Sequence, residues 1–129
     1  MPRVPIIRLG DVLIVTLIED LRDDEALDLQ EEIVRTLEQT GARGVLLDYS
    51  VVQTVDSFLG RLLGDIATAA RLMGAHTVAV GIQPAVAITL IELGVDLRGM
   101  HSALNSEKGL ALLRSLLRRE VARGFRGSR

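Results

Sequence analysis

Apolar and polar positions along the 129 residues alternate between two rhythms, one with a period near two and one near 3.6. Val4-Pro5-Ile6-Ile7-Arg8-Leu9 and Val12-Leu13-Ile14-Val15-Thr16-Leu17-Ile18 are short apolar runs separated by Gly10-Asp11. Such a pair reads as two strands joined by a tight turn. Pro5 has no amide to donate to a ladder, so the first strand belongs at a sheet edge. The rhythm then changes. After the acidic opening Asp23-Asp24-Glu25, Ala26, Leu27, Gln30, Ile33, Val34 and Leu37 recur at helical spacing as far as Gly41. Carboxylates in a first turn favour a helix through its dipole, and a glycine just past the last turn ends it.

The alternation continues to the end of the chain. Val45-Leu46-Leu47-Asp48-Tyr49 has the length and composition of a buried strand, and Ser57 to Met73 predicts a helix stopped by Gly74. His76 to Gly81 predicts another strand, and Pro84 suits the first position of a helix that Gly94 closes. Met100-His101-Ser102-Ala103 predicts a short last strand. Asn105 then caps a final helix carrying Leu110, Leu113, Leu117 and Val121 on one stripe. Residues 1–120 read as one domain and residues 121–129, ending in GFRGSR, as a frayed tail. One hairpin followed by alternating helices and strands predicts an α/β domain with a mixed, mostly parallel sheet.

Composition narrows the function classes. Apolar residues make up 48% and charged residues 25%, which suits a compact folded domain. A net charge of −2 provides no global attraction to nucleic acid. The absence of cysteine excludes disulfide frameworks, cysteine zinc sites and thiol nucleophiles. No apolar run approaches the roughly 18 residues of a membrane span, and MPRVPIIRLGD turns polar too early for a secretory signal. No membrane association and a cytoplasmic location are expected. With Tyr49, Phe58 and Phe125 as its only aromatic residues, the chain lacks stacking platforms for single strands or a planar cofactor.

Catalytic patterns fail in turn. Asp48 after a strand, with Glu19-Asp20 before it, outlines a receiver-domain acidic site, but only one helix intervenes and the sole lysine, Lys108, falls inside the last helix. His76 and His101 are far apart in sequence, belong to no metal-binding motif and read as polar surface groups. No glycine-rich phosphate loop and no nucleophile elbow is present. Ser50, Ser102, Ser106 and Ser115 have no base placed by sequence. These residues supply no catalytic site, no metal site and no cofactor site.

The stretch TVDSFLGRLLGD, residues 54–65, remains. At about 100° per residue, Phe58, Leu59, Leu62, Leu63, Ile66, Ala69, Ala70 and Met73 gather on one face of the helix. Ser57, Gly64 and Thr68 fall opposite, flanked by Gly60, Arg61, Asp65 and Arg71. Asp56 is already a good N-cap, so Ser57 is free of that task and faces solvent at a helix N-terminus. Free amides and the helix dipole there favour an added phosphate of about −1.5 to −2 charges. Gly60 and Gly64 each cost a helix about 1 kcal/mol relative to alanine. Two readings stand: local packing against a neighbouring loop, or close approach of a partner backbone. On the second reading Asp56, Gly60, Arg61, Gly64 and Thr68 form a docking surface, and an arginine at Gly64 leaves the fold intact.

TVDSFLGRLLGDIATAARLMGA followed by HTVAVGIQPAVAITLIELG resembles the STAS-domain anti-anti-sigma factors, and within them the RsbS group of stressosome scaffolds. The resemblance covers about residues 4–118. The DSF junction is widespread among STAS domains, whereas the run from Gly81 to Gly94 is particular to the RsbS and RsbR group. The resemblance implies a five-stranded sheet with about four helices, mainly on one side, and no enzyme activity. It further implies self-association, co-assembly with RsbR-like paralogues and sequestration of an RsbT-like kinase. That kinase would phosphorylate Ser57, and an RsbX-like phosphatase would reset it. A one-to-one antagonist of an anti-sigma kinase is the alternative within the same fold.

Overall fold

The computed structural model describes residues 4–127, the last four by backbone alone. A hairpin opens the chain: β1 (Ile6–Leu9) and β2 (Val12–Thr16) are antiparallel, with Gly10 at φ +60° in the turn between them. After it come α1 (Asp23–Thr40), β3 (Gly44–Asp48), α2 (Ser57–Leu72), β4 (His76–Val80), α3 (Pro84–Glu92), β5 (Met100–Ala103) and α4 (Ser106–Gly127). The sheet order is β1-β2-β3-β4-β5, and every pair after the hairpin is parallel. β1 is an edge strand, as Pro5 requires.

Caps set the helix boundaries where the sequence placed them. The Arg22 amide donates to Glu25 Oε1 at 3.1 Å ahead of α1, and Gly41 closes that helix at φ +68°. The Lys108 amide donates to Asn105 Oδ1 at 2.9 Å at the start of α4. Pro84 occupies the first turn of α3.

Alternate residues of the parallel strands serve two cores. Leu13, Val15, Val45, Leu47 and Ala79 face α1, α2 and α3, where Leu29, Ile33, Leu63, Ile66, Val86 and Leu90 meet them. Val12, Leu46, Val78 and Val80 face the other way and pack on Leu113 of α4. Three helices therefore lie on one side of the sheet and one on the other. That division is a consequence of chain order. Parallel neighbours are joined by right-handed crossovers, and three crossovers advancing in one direction must share a face.

Two features differ from the sequence reading. Residues 121–127 continue α4 rather than fraying, while Ser128 and Arg129 lie outside the described residues. The stripe of α4 is also rotated. Leu113 is buried, Leu110 and Leu117 are half-buried, and Val121 is 66% exposed. The reason is Gly109, whose missing side chain brings α4 closest to the sheet. A Cβ there would stand 2.5 Å from Val80 Cγ1 and 3.0 Å from Leu46 Cδ1.

Gly109→Ala provides a test of sign. Helix propensity alone would make it stabilising by about 1 kcal/mol. The stiff, buried Val80 cannot move aside, so the substitution is expected to destabilise by about 1–3 kcal/mol. Urea denaturation of the two proteins measures it.

Candidate functional site

The carboxyl ends of β2, β3 and β4 and the N-termini of α1, α2 and α3 share one edge of the sheet, and this edge holds Ser57. Between β3 and α2 the chain crosses residues 49–56, held at several points. Asp48 Oδ1 accepts from the Ser50 amide at 2.9 Å and from its hydroxyl at 2.6 Å. Gln83 Nε2 donates to the Ser50 carbonyl at 2.9 Å. Gly81, at φ +70°, passes so close that a Cβ would be 2.9 Å from that of Ser50.

Glu19 makes the remaining tie. Its carboxylate accepts from the Gln53 amide at 2.6 Å, the Thr54 amide at 3.1 Å and the Thr54 hydroxyl at 3.0 Å. The Gln53 amide, aided by Thr54, holds this carboxyl below the usual glutamate range. A depressed folded-state pKa means the tie is present at neutral pH and is lost as pH falls through that lower value. The acidic residues that outline a receiver site are thus structural. Asp48 and Glu19 fasten the loop that delivers α2, and among the described residues no group of three potential ligands is arranged to hold a metal ion.

Asp56 then caps α2, its Oδ1 accepting from the Leu59 amide at 2.8 Å. Ser57 is the first residue of the helix and is exposed, and its hydroxyl has no hydrogen-bond partner among the described residues. The amides of Ser57 and Phe58 lie in the first turn, where no intrahelical acceptor exists. Arg61, exposed one turn on, makes no ion pair among the described residues. Ser57, Arg61, Gly64, Asp65 and Thr68 line one wall of a polar groove.

Leu93, Gly94, Val95 and Asp96, from the connection between α3 and β5, form the opposite wall. Sequence reasoning missed this wall. The signal for it was the pair Gly60 and Gly64, which the structure packs against this connection. Gly60 is buried rather than part of the exposed stripe, and a Cβ there would lie 3.2–3.3 Å from Val95, Leu90 and Leu93. A Cβ on Gly64 would stand 2.9 Å from the Asp96 carbonyl oxygen. Arginine at Gly64 would therefore push the connection away, contrary to the outward position read from the wheel. Asp96 itself is engaged by Arg98, whose guanidinium brings the carboxyl down to about 2. Leu72, at 84% exposure, and Met73, at 39%, both lie outside the core at the far end of α2.

The two histidines meet at the opposite edge of the sheet. His76 and His101 stand with ring centroids 5.8 Å apart, and His76 Nε2 contacts the Glu120 carboxylate. Arg43 pairs with the same carboxylate, and Arg71 reaches it at 3.5 Å. Burial raises the Glu120 carboxyl, but His76 and Arg43 together bring it below its ordinary value. His76 is thus a half-buried anchor for α4 rather than a free surface group.

A five-stranded sheet of this order, three helices on one face and an unengaged serine opening the second of them define a signalling α/β domain of the STAS type. The chain matches the STAS domain over residues 3–105 and belongs to that family. Among solved structures it is similar to a variant of RsbS from Moorella thermoacetica in which one serine is replaced by glutamate. That chain is 42% identical over 90% of this chain and 98% of the other, with a TM-score of 0.82. It is also similar, at 42% identity and a TM-score of 0.79 over 88% and 99% of the two chains, to a chain in the molecular architecture of the stressosome, a signal integration and transduction hub. A curated relative, the RsbT co-antagonist protein RsbRA of Bacillus subtilis, is 23% identical over 120 residues. The match takes in 93% of this chain but only 43% of that relative's length.

Asp56→Ala is expected to destabilise the protein by about 1 kcal/mol through the lost cap, and Ser57→Ala by less than about 0.5 kcal/mol. Urea denaturation of both variants checks the order. A larger loss from Ser57→Ala would make the serine a structural residue.

Proposed function

We propose that this protein is a non-catalytic signalling scaffold of the stressosome type, acting in the cytoplasm, with Ser57 as its phospho-acceptor. The observation that carries this reading is the division of labour at the start of α2. Asp56 performs the cap, so Ser57 stands exposed in the first turn, its hydroxyl without a hydrogen-bond partner among the described residues, beside a groove with Arg61 one turn away. A phosphate there meets the free amides of the first turn, the positive end of the helix dipole and the Arg61 guanidinium. It adds charge without removing any contact that holds the helix. The similarity to RsbS and to the stressosome chain supports the same reading.

On this reading an RsbT-like serine/threonine kinase docks over Asp56, Ser57, Arg61, Gly64 and Thr68, and RsbR-like paralogues share the assembly. Phosphorylation of Ser57 releases the kinase, and an RsbX-like phosphatase restores the starting state. The magnitude suffices. A kinase carboxylate about 6 Å from the phosphate is repelled by about 3 kcal/mol per charge pair at an effective dielectric near 20, and by about 1 kcal/mol after screening. Affinity then falls between about fivefold and a hundredfold, enough to release a partner held at micromolar strength.

The test compares kinase affinity for wild type, Ser57→Ala and Ser57→Asp by calorimetry, with phosphosite mass spectrometry after incubation with kinase, Mg²⁺ and ATP. Phosphate on Ser57 is expected, with weaker binding by Ser57→Asp and retention by Ser57→Ala when wild type lets go. Equal affinities and an unmodified Ser57 would contradict the reading.

A further inference from the structure

We propose that the cluster around His76 and His101 is a pH-operated latch for α4, closed near neutral pH and released at the far end of the helix as the medium acidifies. The two histidines enter from neighbouring strands, His76 at the start of β4 and His101 in β5. Both lie on the α4 side of the sheet. His76 alternates along β4 with Val78 and Val80, which pack on Leu113, and Val78 stands opposite His101 in the ladder. The ring centroids are 5.8 Å apart. Glu120 of α4 reaches this edge, and its carboxylate is shared by His76, by Arg43 ahead of β3 and by Arg71 in the last turn of α2.

The charges that face the two rings are unbalanced. Glu120 is already outnumbered by Arg43 and Arg71 while both histidines are neutral. α4 adds to the excess. Leu110, Arg114 and Leu117 line a groove with Leu9 and Val12, so that flank of the helix lies over the hairpin. The opposite flank, Leu112, Leu116, Arg119 and Arg123 at steps of four, three and four, is directed toward β5. Arg119 and Arg123 form no ion pair among the described residues. Other charges nearby give no relief. Asp96 and Arg98, ahead of β5, pair with each other, and Asp11, whose carbonyl accepts from the Arg43 amide at 2.8 Å, makes no ion pair among the described residues.

A proton taken by His76 is met by Glu120, but one taken by His101 has no carboxylate partner among the described residues. Burial lowers the His101 pKa, and His76 and Arg71 lower it further. The docked state therefore binds this proton less readily than the undocked one. Its stability is full above about 6.5, the ordinary histidine value, and is lost as pH falls from there through the lower folded value. Glu120, whose carboxyl lies below its ordinary value, stays ionised in that window, so the change falls on the imidazoles. The effect concentrates at the far end of α4 because little else holds it. The near end has the Asn105 cap, Gly109 and Leu113, whereas from Arg114 to Arg123 no residue is buried and Glu120 is the last anchor. None of these residues lines the Ser57 groove, so the latch stands apart from the proposed phospho-switch.

Amide hydrogen exchange of the full chain, corrected for the intrinsic rate at each pH, tests the latch. Between about pH 7.5 and about pH 5.5, protection over residues 117–123 is expected to fall at least about fivefold, with Leu46, Val78 and Leu113 unchanged. His101→Gln, folded by circular dichroism, should keep that protection within about twofold across the same range. The His101 ring, followed by NMR, should titrate below about 6.5 and move upward in Arg71→Gln. Equal protection of wild type at both pH values, a His101 midpoint at or above the ordinary value, or an acid loss in folded His101→Gln as large as in wild type would overturn the proposal. If His101→Gln does not fold, Arg71→Gln decides instead: it should reduce the acid loss at least about twofold, and an unchanged loss overturns the proposal.

Discussion

The handedness of parallel crossovers governs most of this structure. Strands β2 to β5 lie side by side in chain order, so right-handed connections place α1, α2 and α3 on a single face. The other face of the sheet is apolar as well, with Val12, Leu46, Val78 and Val80 directed into it, and only the chain beyond β5 remains to cover it. α4 meets that demand, brought close by Gly109 and anchored at its far end through Glu120 to Arg43 and His76. The same constraint brings the N-termini of three helices to one edge, where α/β proteins place their functional groups.

At that edge, rigidity and exposure are divided between adjacent residues. Asp48, Glu19 and Gln83 fasten the loop before α2, and Asp56 caps the helix. Gly60 and Gly64 allow the connection between α3 and β5 to press against its outer side. Ser57 contributes to none of these contacts. A residue that is firmly positioned yet mechanically idle can accept a charge without disturbing the scaffold, which is the physical requirement for a switch read by a partner.

Much of this was legible in the sequence because it depended on local chemistry. Turn glycines, the acidic first turn of α1, Pro84, Asn105 and Asp56 each act within a few residues, and each boundary they predict is found. The exposed place of Ser57 at the start of α2, with the cap left to Asp56, was legible for the same reason. Features that depended on distant packing were not. The helical wheel places Gly60 and Gly64 on the polar side of α2, but it cannot show that Val95 and Asp96 arrive there. It places Val121 in line with Leu113, but the depth of α4 is set by Gly109 against Val80. Two histidines 25 positions apart become neighbours only because β4 and β5 pair, with Val78 opposite His101.

Phosphate on Ser57 is held to alter what binds α2 while leaving α2 itself unchanged. Amide hydrogen exchange of the unmodified and the Ser57-phosphorylated protein, compared residue by residue along the helix, measures this most directly. Equal protection is expected at Leu62, Leu63 and Ile66, with differences confined to the first turn and the groove wall at Leu93 to Asp96. Loss of protection through the body of α2 on phosphorylation would contradict this, because the modification would then act by loosening the fold.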